Sequence, residues 1–466
     1  MTESLLPIAV IGAGPVGLAA TAQLIARGLE PIVFERGDGA GASLRCWSHV
    51  RVFSPWQYNI DTAARALLKA SGWVAPDDAD LPTGGEIVAR YLQPLAELPA
   101  MAPHIHFGAT VTAITRQGLD KVSNSGRDKA PFELRWTDEA GNEQAALARA
   151  VIDASGTWTQ PNPMGVDGLP VLGEAGLRDH IAYGIPDVLG TERNSYAGKT
   201  VLVVGSGHSA INTALALLTL QDQHPDTKIL WALRRNRLEK LLGGGLNDQL
   251  PERGALGLAA RRAIDAGRLR ILAPFAAKRL AASDGGVAVT GTLGEAPITL
   301  QVDRIVVATG FRPDLTMLSE LRVAIDPATE APPALSPLID PNFHSCGTVP
   351  PHGVVELTQP EPDFYIVGSK SYGRAPTFLM ATGYEQARSV VAELAGDPVA
   401  ARQVHLVLPE TGVCSVPAAA ATSGCCGGPA TTAASCCAAD ESAKAEGEAG
   451  CGCGASASPA RQPEHV

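Results

Sequence analysis

The stretch IAVIGAGPVGLAATAQLIARGLEPIVFER, residues 8–36, decides the fold class of this chain. Its apolar run 8–11 is short enough to be a buried parallel strand. Gly12, Gly14 and Gly17 follow at the spacing G-x-G-x-x-G, and a helical pattern then leads to a second apolar run that ends on Glu35. Strand, glycine turn, helix and a late acid together predict a βαβ unit that binds a dinucleotide.

Each residue type in this unit has a physical role. Gly12 permits a tight turn, Gly14 lets the backbone approach a pyrophosphate, and Gly17 lets the helix pack closely on the strand. The N-terminus of the helix offers unpaired N–H groups and the positive end of its dipole to phosphates. Glu35 stands where a carboxylate can accept hydrogen bonds from ribose hydroxyls, so a nucleotide site is favoured over a merely structural turn.

The composition of the whole chain excludes several classes of protein. Its 466 residues can form two or three domains with proper cores. A formal net charge of −11 without a basic stripe argues against nucleic acid as a partner. No stretch approaches the roughly 20 apolar residues of a membrane span, and no signal peptide precedes the glycine loop. We therefore expect a cytoplasmic protein that has no membrane partner.

The strand–glycine–helix pattern restarts at residues 199–220, where the loop 205–210 reads G-x-G-x-x-A. The strand after it ends on Arg234 and Arg235 instead of an acid. Cations at this position suit the 2′-phosphate of NADP, although two arginines can also form a solvated surface. Two such halves in one chain imply two dinucleotides, and the economical pairing is FAD in the first half and NADPH in the second.

A third strand–loop–helix pattern, residues 363–394, is expected to return to the first half and complete it. The predicted fold class is α/β, with two Rossmann-like dinucleotide-binding domains. The FAD domain comprises 1–165 and 313–405, the NADPH domain 166–312 is inserted in it, and 406–466 form a disordered cysteine-rich tail.

Contacts with the two cofactors are expected mainly in the glycine loops and in the turns that end later strands. A patch of aromatic residues after Glu35, namely Trp47, Phe53, Trp56 and Tyr58, either fills the core or forms a wall for a planar ring. The predicted cofactor-binding residues are Gly12, Gly14, Pro15, Gly17, Glu35, Arg36, Arg45, Trp47, Val111, Ser155, Gly156, Gly205, Ser206, Gly207, His208, Ser209, Arg234, Arg235, Gly310 and Gly368.

The paired glycine loops, DASGTW at 153–158 and ATGFRPD at 308–314, resemble the flavoproteins with two dinucleotide domains. Within that group the chain is most similar to the flavin-containing monooxygenase-like proteins, including the cation-efflux-associated oxidoreductases. The RVFSP segment 51–55 is similar to a stretch that lies against the flavin in that branch. The resemblance spans roughly residues 5–400 and implies an enzyme that uses FAD, NADPH, O₂ and a small-molecule substrate.

The monooxygenase signature F-x-G-x-x-x-H-x-x-x-(F/W) is degenerate here. Gly176 and His180 keep its spacing, but Glu174 stands at the leading Phe and the aromatic Tyr183 comes one position early. The rival in this fold is a disulfide reductase, which needs a redox-active cysteine pair. Cys46 stands alone, and we expect it to be a small buried residue instead of a reactive thiol.

The last part of the chain has a different composition. From Pro409 it consists mainly of Ala, Gly, Ser, Pro and Cys, which cannot bury enough apolar surface to order a chain. Seven of the nine cysteines lie between Cys414 and Cys453, a distribution that suits a reducing compartment. Adjacent thiolates suit thiophilic metals or metalloids; thiol exchange with the flavin, or no chemistry, are the alternatives. The predicted metal ligands are Cys425, Cys426, Cys436, Cys437, Cys451 and Cys453.

These observations give one functional hypothesis with two rivals. NADPH reduces FAD, and reduced flavin uses O₂ to oxygenate a soft nucleophile at S, N or As, by analogy with arsenical-resistance systems. Asn59, Arg374 and Thr377 are the candidate catalytic residues at the reacting flavin edge. The rivals are an NADPH-dependent reductase or oxidase without oxygen transfer, and a metal- or metalloid-binding redox protein.

Overall fold

The computed structural model describes residues 6–235, 251–343, 349–375 and 379–406. The strands are β1 Ile8–Ile11, β2 Pro31–Phe34, β3 Ile105–His106, β4 Thr110–Arg116, β5 Phe132–Thr137, β6 Glu143–Ala148, β7 Ala150–Asp153, β8 Ile181–Tyr183, β9 Thr200–Val204, β10 Lys228–Ala232, β11 Arg270–Leu272, β12 Phe275–Ser283, β13 Gly286–Leu293, β14 Ala296–Val302, β15 Arg304–Val307 and β16 Phe364–Ile366.

The α-helices are α1 Pro15–Ala26, α2 Ala42–Arg45, α3 Thr62–Ala70, α4 Gly84–Ile87, α5 Gln93–Ala96, α6 Arg193–Tyr196, α7 His208–Gln223, α8 Pro251–Asp265, α9 Ser336–Ile339, α10 Val354–Leu357, α11 Met380–Leu394 and α12 Pro398–Arg402. A π-helical turn, Val88–Leu92, joins α4 to α5. Among the described residues, none of these helices is long and apolar enough to cross a membrane.

The first sheet has five parallel strands in the order β16-β7-β1-β2-β3. All four residues of β1 are buried, as expected for a central parallel strand covered on both faces. Ile8 and Val10 belong to a core with α1 and α11, whereas Ala9 and Ile11 belong to a core with β4 and β5. The alternation of side chains along β1 therefore holds the sheet between a helical layer and an antiparallel layer.

The second sheet also has five parallel strands, in the order β11-β10-β9-β15-β8. Helix α7 follows β9 and packs with α8 on one face of the sheet. The antiparallel sheet β12-β13-β14 shares a core with the other face. The two halves thus repeat one plan, a parallel sheet with helices on one face and a three-stranded sheet on the other.

The chain returns to the first sheet after building the second. Strand β16 pairs with β7, with Phe364 opposite Val151 and Ile366 opposite Asp153. This pairing confirms the predicted insertion of one Rossmann-like unit into the other. The chain crosses between the sheets in residues 154–180 and 308–363, and the predicted boundaries at 165 and 312 lie in these stretches. The predicted tail lies, apart from its first residue, outside the described residues.

The two crossing segments pair with each other as a short antiparallel ribbon. The amide of Asn162 donates to the carbonyl of Gly310 at 2.9 Å, and the amide of Arg312 donates to Gln160 at 2.9 Å. The Asn162 Oδ1 accepts a further bond from the Arg312 Nε at 2.9 Å. The rings of Trp158 and Phe311 stack at 4.7 Å. The ribbon therefore fixes the connection between the halves through backbone and side chains together.

A buried carboxylate anchors the returning segment. Glu361 is 1% exposed and accepts from Arg116 Nε at 2.8 Å and from Arg127 Nη2 at 2.6 Å. Burial alone would raise the pKa of Glu361, but the bonds from Arg127, the Arg322 amide and Arg116 outweigh it and lower the pKa. The carboxylate thus remains charged and ties the segment before β16 to β4 and its hairpin.

Candidate functional site

The first glycine loop has the geometry that its spacing predicts. Gly12 adopts φ +100°, and a Cβ atom added there would lie 2.8 Å from the carbonyl oxygen of Ala154. A Cβ atom added at Gly17 would lie 1.9 Å from the carbonyl oxygen of Gly12. At Gly14, the N-cap of α1, the same position has no atom within 4 Å. The loop is closed towards the sheet and open where a ligand would approach.

Glu35 connects the end of β2 to this loop. Its side chain is buried, and its Oε2 accepts from the Ala13 amide at 2.7 Å while its Oε1 accepts from the Gly37 amide at 2.7 Å. Each carboxylate oxygen keeps further lone pairs, so the group can still accept from a ribose hydroxyl. The acid therefore holds the glycine loop in shape as well as standing at the predicted ribose position.

Two later turns reach the same edge of the first sheet. The Cβ position at Gly12 lies 3.2 Å from the Cα of Ser155, which follows β7. The Cβ position at Gly368, which follows β16, lies 3.4 Å from Val16 in α1, and the one at Gly156 lies 3.5 Å from the Ser369 hydroxyl. The structure thus brings together the turns after β1, β7 and β16 at the carboxyl edge, where the strand order reverses. Open α/β sheets bind ligands at such a switch point.

The second glycine loop repeats this arrangement in the second sheet. Gly205 adopts φ +134°, and a Cβ atom added there would lie 2.3 Å from the carbonyl oxygen of Ala308. Gly207 is the N-cap of α7 and its Cβ position is open, as at Gly14. Ser206 and Gly207 are exposed, and the carbonyl of Ser209 accepts from Thr213 inside α7. The loop therefore also presents an open helix N-terminus.

The chemistry at the end of the following strand differs between the two halves. Arg234 and Arg235 follow β10 and are both exposed. Within β10, the Trp231 Nε1 donates to the carbonyl of Gly205 at 2.8 Å and ties the strand to the glycine loop. Two exposed cations therefore stand beside the second loop, at the position that Glu35 occupies beside the first.

One aromatic contact joins the two halves close to the second loop. The ring of Phe53, from the aromatic patch of the first half, lies 5.2 Å from the ring of His208. His208 is the first residue of α7. The predicted NADPH-side residue His208 therefore contacts the segment that resembles the flavin-facing stretch of the cation-efflux branch.

The remaining predicted cofactor residues lie on several different elements of the structure. Arg36 is exposed, and Arg45 is exposed and pairs with Asp38 at 2.6 Å. Trp47 is half-buried against the backbone of Gly84. Val111 lies half-buried on β4 in the core beneath the sheet, and Gly310 is in the crossing ribbon with φ +88°. These five positions stay predictions as cofactor contacts.

The three predicted catalytic residues are placed differently from one another. Asn59 is 1% exposed, and its side-chain amide donates to the carbonyls of Ser54 and Pro55 and accepts from the Ser54 hydroxyl. Arg374 is exposed, 3.5 Å from Glu330. Thr377 lies outside the described residues. In this structure the Asn59 side chain holds its own loop together, and a catalytic role for these residues stays a prediction.

Cys46 is exposed, so the prediction that it is a small buried residue is wrong. It caps the four-residue helix α2, and its thiol lies 3.6 Å from the Ala42 carbonyl. A helix this short buries only Leu44, which leaves the neighbouring thiol at the surface. The six predicted metal ligands, Cys425 to Cys453, lie outside the described residues, and within the described ones no cluster of His, Cys, Asp and Glu could hold a metal ion.

The degenerate monooxygenase signature is built into the second half as a structural support. The buried Glu174 carboxylate accepts from the amides of Met164 and Val171 and, at 2.7 Å, from the Tyr183 hydroxyl. Burial first, then the hydrogen bond and charge of Glu174, raise the pKa of Tyr183. Glu174 and Tyr183, the two residues that depart from the signature, therefore bind each other.

The first site contains an ion pair between Asp153 and Lys370, neither of which was predicted as a site residue from the sequence. Lys370 Nζ lies 2.7 Å from Asp153 Oδ2 and donates to the Ser155 hydroxyl at 3.0 Å. Both charged side chains are at most 1% exposed. The only sequence signals were an acid at the end of an apolar strand and a lysine in the turn after another apolar strand, and neither is specific.

The two loops fit dinucleotides by their own geometry. Each combines an open N-cap, a helix N-terminus without a side-chain cap and a turn too tight for any side chain. The first adds a buried carboxylate for hydroxyl groups, and the second adds exposed arginines for an anion. The described residues thus include two glycine loops that suit phosphate groups, one with a negatively charged side chain beside it and one with positively charged side chains beside it.

Comparison with known proteins places this arrangement among described families. A family model described as pyridine nucleotide-disulphide oxidoreductase matches residues 9–337. The chain is 27% identical over 218 residues to flavin-containing monooxygenase 3 of Rattus norvegicus, covering 46% of this chain and 39% of the relative. It is 28% identical over 213 residues to flavin-containing monooxygenase 1 of Oryctolagus cuniculus, covering 45% and 37%. The chain spans about two fifths of the length of these curated relatives.

Solved structures support the fold. Bacillithiol disulfide reductase from Bacillus cereus superimposes with a TM-score of 0.59 at 18% identity, covering 84% of this chain and 99% of that chain. Ornithine hydroxylase from Pseudomonas aeruginosa superimposes with a TM-score of 0.55 at 14% identity, covering 84% and 100%. At these identities the similarity shows the fold alone, and reductases and hydroxylases share it.

Proposed function

The chain belongs to the pyridine nucleotide-disulphide oxidoreductase family, and from this premise we propose that it is an FAD- and NADPH-dependent, monooxygenase-like oxidoreductase. The observation that carries the proposal is the pair of glycine loops with opposite charges at the end of the next strand. A buried carboxylate beside one loop and two exposed arginines beside the other suit two different dinucleotides.

The first loop would hold FAD. The amides at the N-terminus of α1 would bind its pyrophosphate, and Glu35 would accept from a ribose hydroxyl. The turns at Ser155 and Gly368 stand at the same edge, where they would position the rest of the molecule. When bound, FAD supplies two-electron transfer from NADPH to oxygen or another acceptor. The protein's own task is to orient the cofactor and exclude water from its reacting side.

The second loop would hold NADPH. The N-terminus of α7 would bind its pyrophosphate, and Arg234 and Arg235 would bind the 2′-phosphate. Their exposure leaves both guanidinium groups accessible to a ligand. A chain that selected NAD would instead need an acceptor for the 2′-hydroxyl at this position, as Glu35 provides in the first half.

We propose oxygen transfer to a soft nucleophile, with sulfides, amines and arsenicals as the substrate class. The support comes from the names of the curated relatives, which are flavin-containing monooxygenases, and from the absence of a cysteine pair among the described residues, where Cys46 is the one cysteine. The second candidate is an NADPH-dependent reductase, which the family description favours.

The decisive experiment separates these two candidates on the purified protein. Bound flavin is identified after release by heat, and NADPH oxidation is followed in air and under nitrogen with a panel of sulfides, amines and arsenicals. Oxygen transfer predicts an O₂-dependent, substrate-dependent oxygenated product that carries label from ¹⁸O₂. Anaerobic reduction of a disulfide or dye without any oxygenated product would establish the reductase instead.

For the tail, we propose capture of thiophilic ions by the cysteines Cys425, Cys426, Cys436, Cys437, Cys451 and Cys453. The support is their adjacent spacing in the sequence, because soft ions prefer several thiolate ligands. The test compares the full chain with a variant that carries serine at all six positions. Equal binding of Zn(II) or As(III) by both proteins would refute the proposal, and equal NADPH oxidation by both would show that the tail is separate from the redox chemistry.

A further inference from the structure

The Asp153–Lys370 pair is an unusual feature of the first site because both charges are buried at the sheet edge. Their side chains are 0% and 1% exposed, and Lys370 Nζ lies 2.7 Å from Asp153 Oδ2. Asp153 ends β7, and Lys370 lies in the 3₁₀ turn that follows β16. Burying two charges is costly unless good geometry and further hydrogen bonds compensate, so such a pair calls for a role beyond stability.

The further hydrogen bonds of this pair converge on Ser155. The Asp153 Oδ1 accepts from the Ser155 hydroxyl at 2.6 Å and from the Ser155 amide at 3.1 Å. Lys370 Nζ donates to the same hydroxyl oxygen at 3.0 Å. A serine hydroxyl has one proton and two lone pairs. The hydroxyl donates its proton to Asp153 and uses one lone pair to accept from Lys370, so one lone pair remains to accept from a further donor.

Ser155 is placed where this remaining lone pair can meet a ligand. The residue is exposed, unlike the two charges beneath it. Its Cα lies 3.2 Å from the Cβ position of Gly12, and the next residue, Gly156, faces the Ser369 hydroxyl. Ser155 thus stands between the first glycine loop and the turn after β16. Its backbone amide, like its hydroxyl proton, is already bound to Asp153.

We propose that Ser155 is an acceptor-only contact of the first dinucleotide site, and that Asp153 and Lys370 are positioning residues that fix this polarity. The contact selects a ligand group with a proton to give, a polyol hydroxyl or an N–H, and disfavours a carbonyl or phosphate oxygen at the same place. The inference rests on the proposed function in one respect, because it takes FAD as the ligand of this site.

The polarity follows from the hydrogen-bond inventory of the three side chains. Were Ser155 to donate to a ligand, the buried Asp153 Oδ1 would lose its 2.6 Å partner, and leaving a buried acceptor poorly satisfied is costly. Lys370 cannot exchange roles with Ser155, since an ammonium group only donates. The ion pair therefore orients the hydroxyl before any ligand arrives.

The test is a cycle that changes both the protein and the ligand. FAD and a set of FAD analogues, each lacking one ribityl or ribose hydroxyl or one N–H donor, are titrated into apoprotein, and dissociation constants are measured by flavin fluorescence. In the natural chain we expect any analogue that lacks the partner of Glu35 to be weakened independently of Ser155, and the analogue that lacks the partner of Ser155 to bind roughly fivefold more weakly than FAD, the effect of one neutral hydrogen bond. In Ser155→Ala the same analogue and FAD should bind equally, and Ser155→Thr should restore the difference.

The positioning role is tested with the double variant Asp153→Leu, Lys370→Met, which removes both buried charges together and avoids an unpaired one. Ser155 can then donate or accept, so the preference for the donor-bearing ligand should shrink even though the protein folds and Ser155 is present. An unchanged preference in this variant would overturn the role of the ion pair.

If Ser155→Ala weakens or strengthens the binding of FAD and of every analogue by the same factor, Ser155 does not make the proposed contact. Both negative results differ from a failure of the proposed function, in which the natural chain would bind no FAD at all.

Discussion

The two glycine loops of this protein share a backbone plan and differ in what surrounds it. In the first, a Cβ atom at the third glycine position, Gly17, would lie 1.9 Å from a carbonyl oxygen, whereas the second has the buried Ala210 at that position. The first is followed by the buried Glu35, and the second by the exposed Arg234 and Arg235. A repeated supersecondary unit thus gives one site that is built into the core and one that is accessible at the surface.

This difference suits the two ligands that we propose. A site closed by a buried acid and by turns from three strands is suited to a cofactor that stays bound. A site whose selectivity comes from exposed arginines is suited to a ligand that binds and leaves, because surface charges raise association rates and are screened by salt. The contrast between a buried site and an accessible one can be tested by substitutions in each loop.

Gly17→Ala should destabilise the first loop and weaken flavin binding, whereas Ala210→Gly, the reciprocal change, should have little effect on the second loop. The added methyl group meets backbone, which cannot move aside without shifting α1, so we expect a loss of about 3 kcal/mol or more in the free energy of unfolding and roughly tenfold less bound flavin. Ala210→Gly should cost only about 1 kcal/mol, the helix propensity difference. Thermal unfolding and flavin absorbance measure both; equal losses in the two variants would contradict the contrast.

Arg234→Ala combined with Arg235→Ala should reduce selectivity for NADPH. Loss of charge-assisted bonds to the 2′-phosphate should raise the KM for NADPH by roughly 10- to 100-fold and leave the KM for NADH nearly unchanged. Arg270→Ala is the matched control, an exposed arginine on the neighbouring β11. Steady-state oxidation of both nucleotides gives the values. A parallel rise for NADH would show that the arginines do not read the 2′-phosphate.

Glu35→Gln should weaken the first site without unfolding it. The amide retains one acceptor but turns an NH₂ group towards the Ala13 or Gly37 amide, and an unsatisfied buried donor costs about 1–3 kcal/mol. We expect the FAD dissociation constant to rise roughly tenfold. The exposed Glu30, just before β2, provides the control Glu30→Gln. Unchanged FAD affinity in Glu35→Gln would remove this residue from the proposed site.

Lowering the pH should reduce the free energy of unfolding through His352, a buried residue of the first half. The His352 Nε2 lies 2.9 Å from Gln386 Nε2, and the Gln386 carbonyl accepts from the Gly368 amide at 2.7 Å. Burial lowers the pKa of His352 below its usual value near 6.5. The unfolded chain therefore binds the extra proton as the pH falls below about 6.5, and the folded chain resists it.

The sign of the effect follows from proton linkage. This contribution to stability is complete above about pH 6.5 and is lost as the pH falls, by at most about 1.4 kcal/mol per pH unit for one proton. His352→Gln should flatten the dependence of the unfolding free energy on pH between 7.5 and 5.5, and the exposed His405→Gln should not. Denaturant unfolding at several pH values makes the measurement, and equal slopes in all three proteins would exclude His352.

The glycine loops and the insertion could be predicted because their signals are local. Gly12 and Gly205 need positive φ, and a turn of this kind is encoded within a few residues. The repeat of strand, loop and helix then indicates a second sheet, and residues 363–394 indicate the return. The prediction that Cys46 is buried was wrong, because the exposure of a residue after a four-residue helix depends on which parts of the chain pack over it.

Two Rossmann-like units, their nesting and the opposite charges beside their loops can be read from the sequence, since βαβ units are specified by short-range spacing and by residue type. The contacts between residues far apart in the chain depend on the packing of the whole fold. Ser155 and Lys370 are 215 residues apart in the chain, and the pairing of β16 with β7 brings them within 3.0 Å. No local pattern encodes such a contact, because the register between the two strands is fixed by the packing of the whole first sheet.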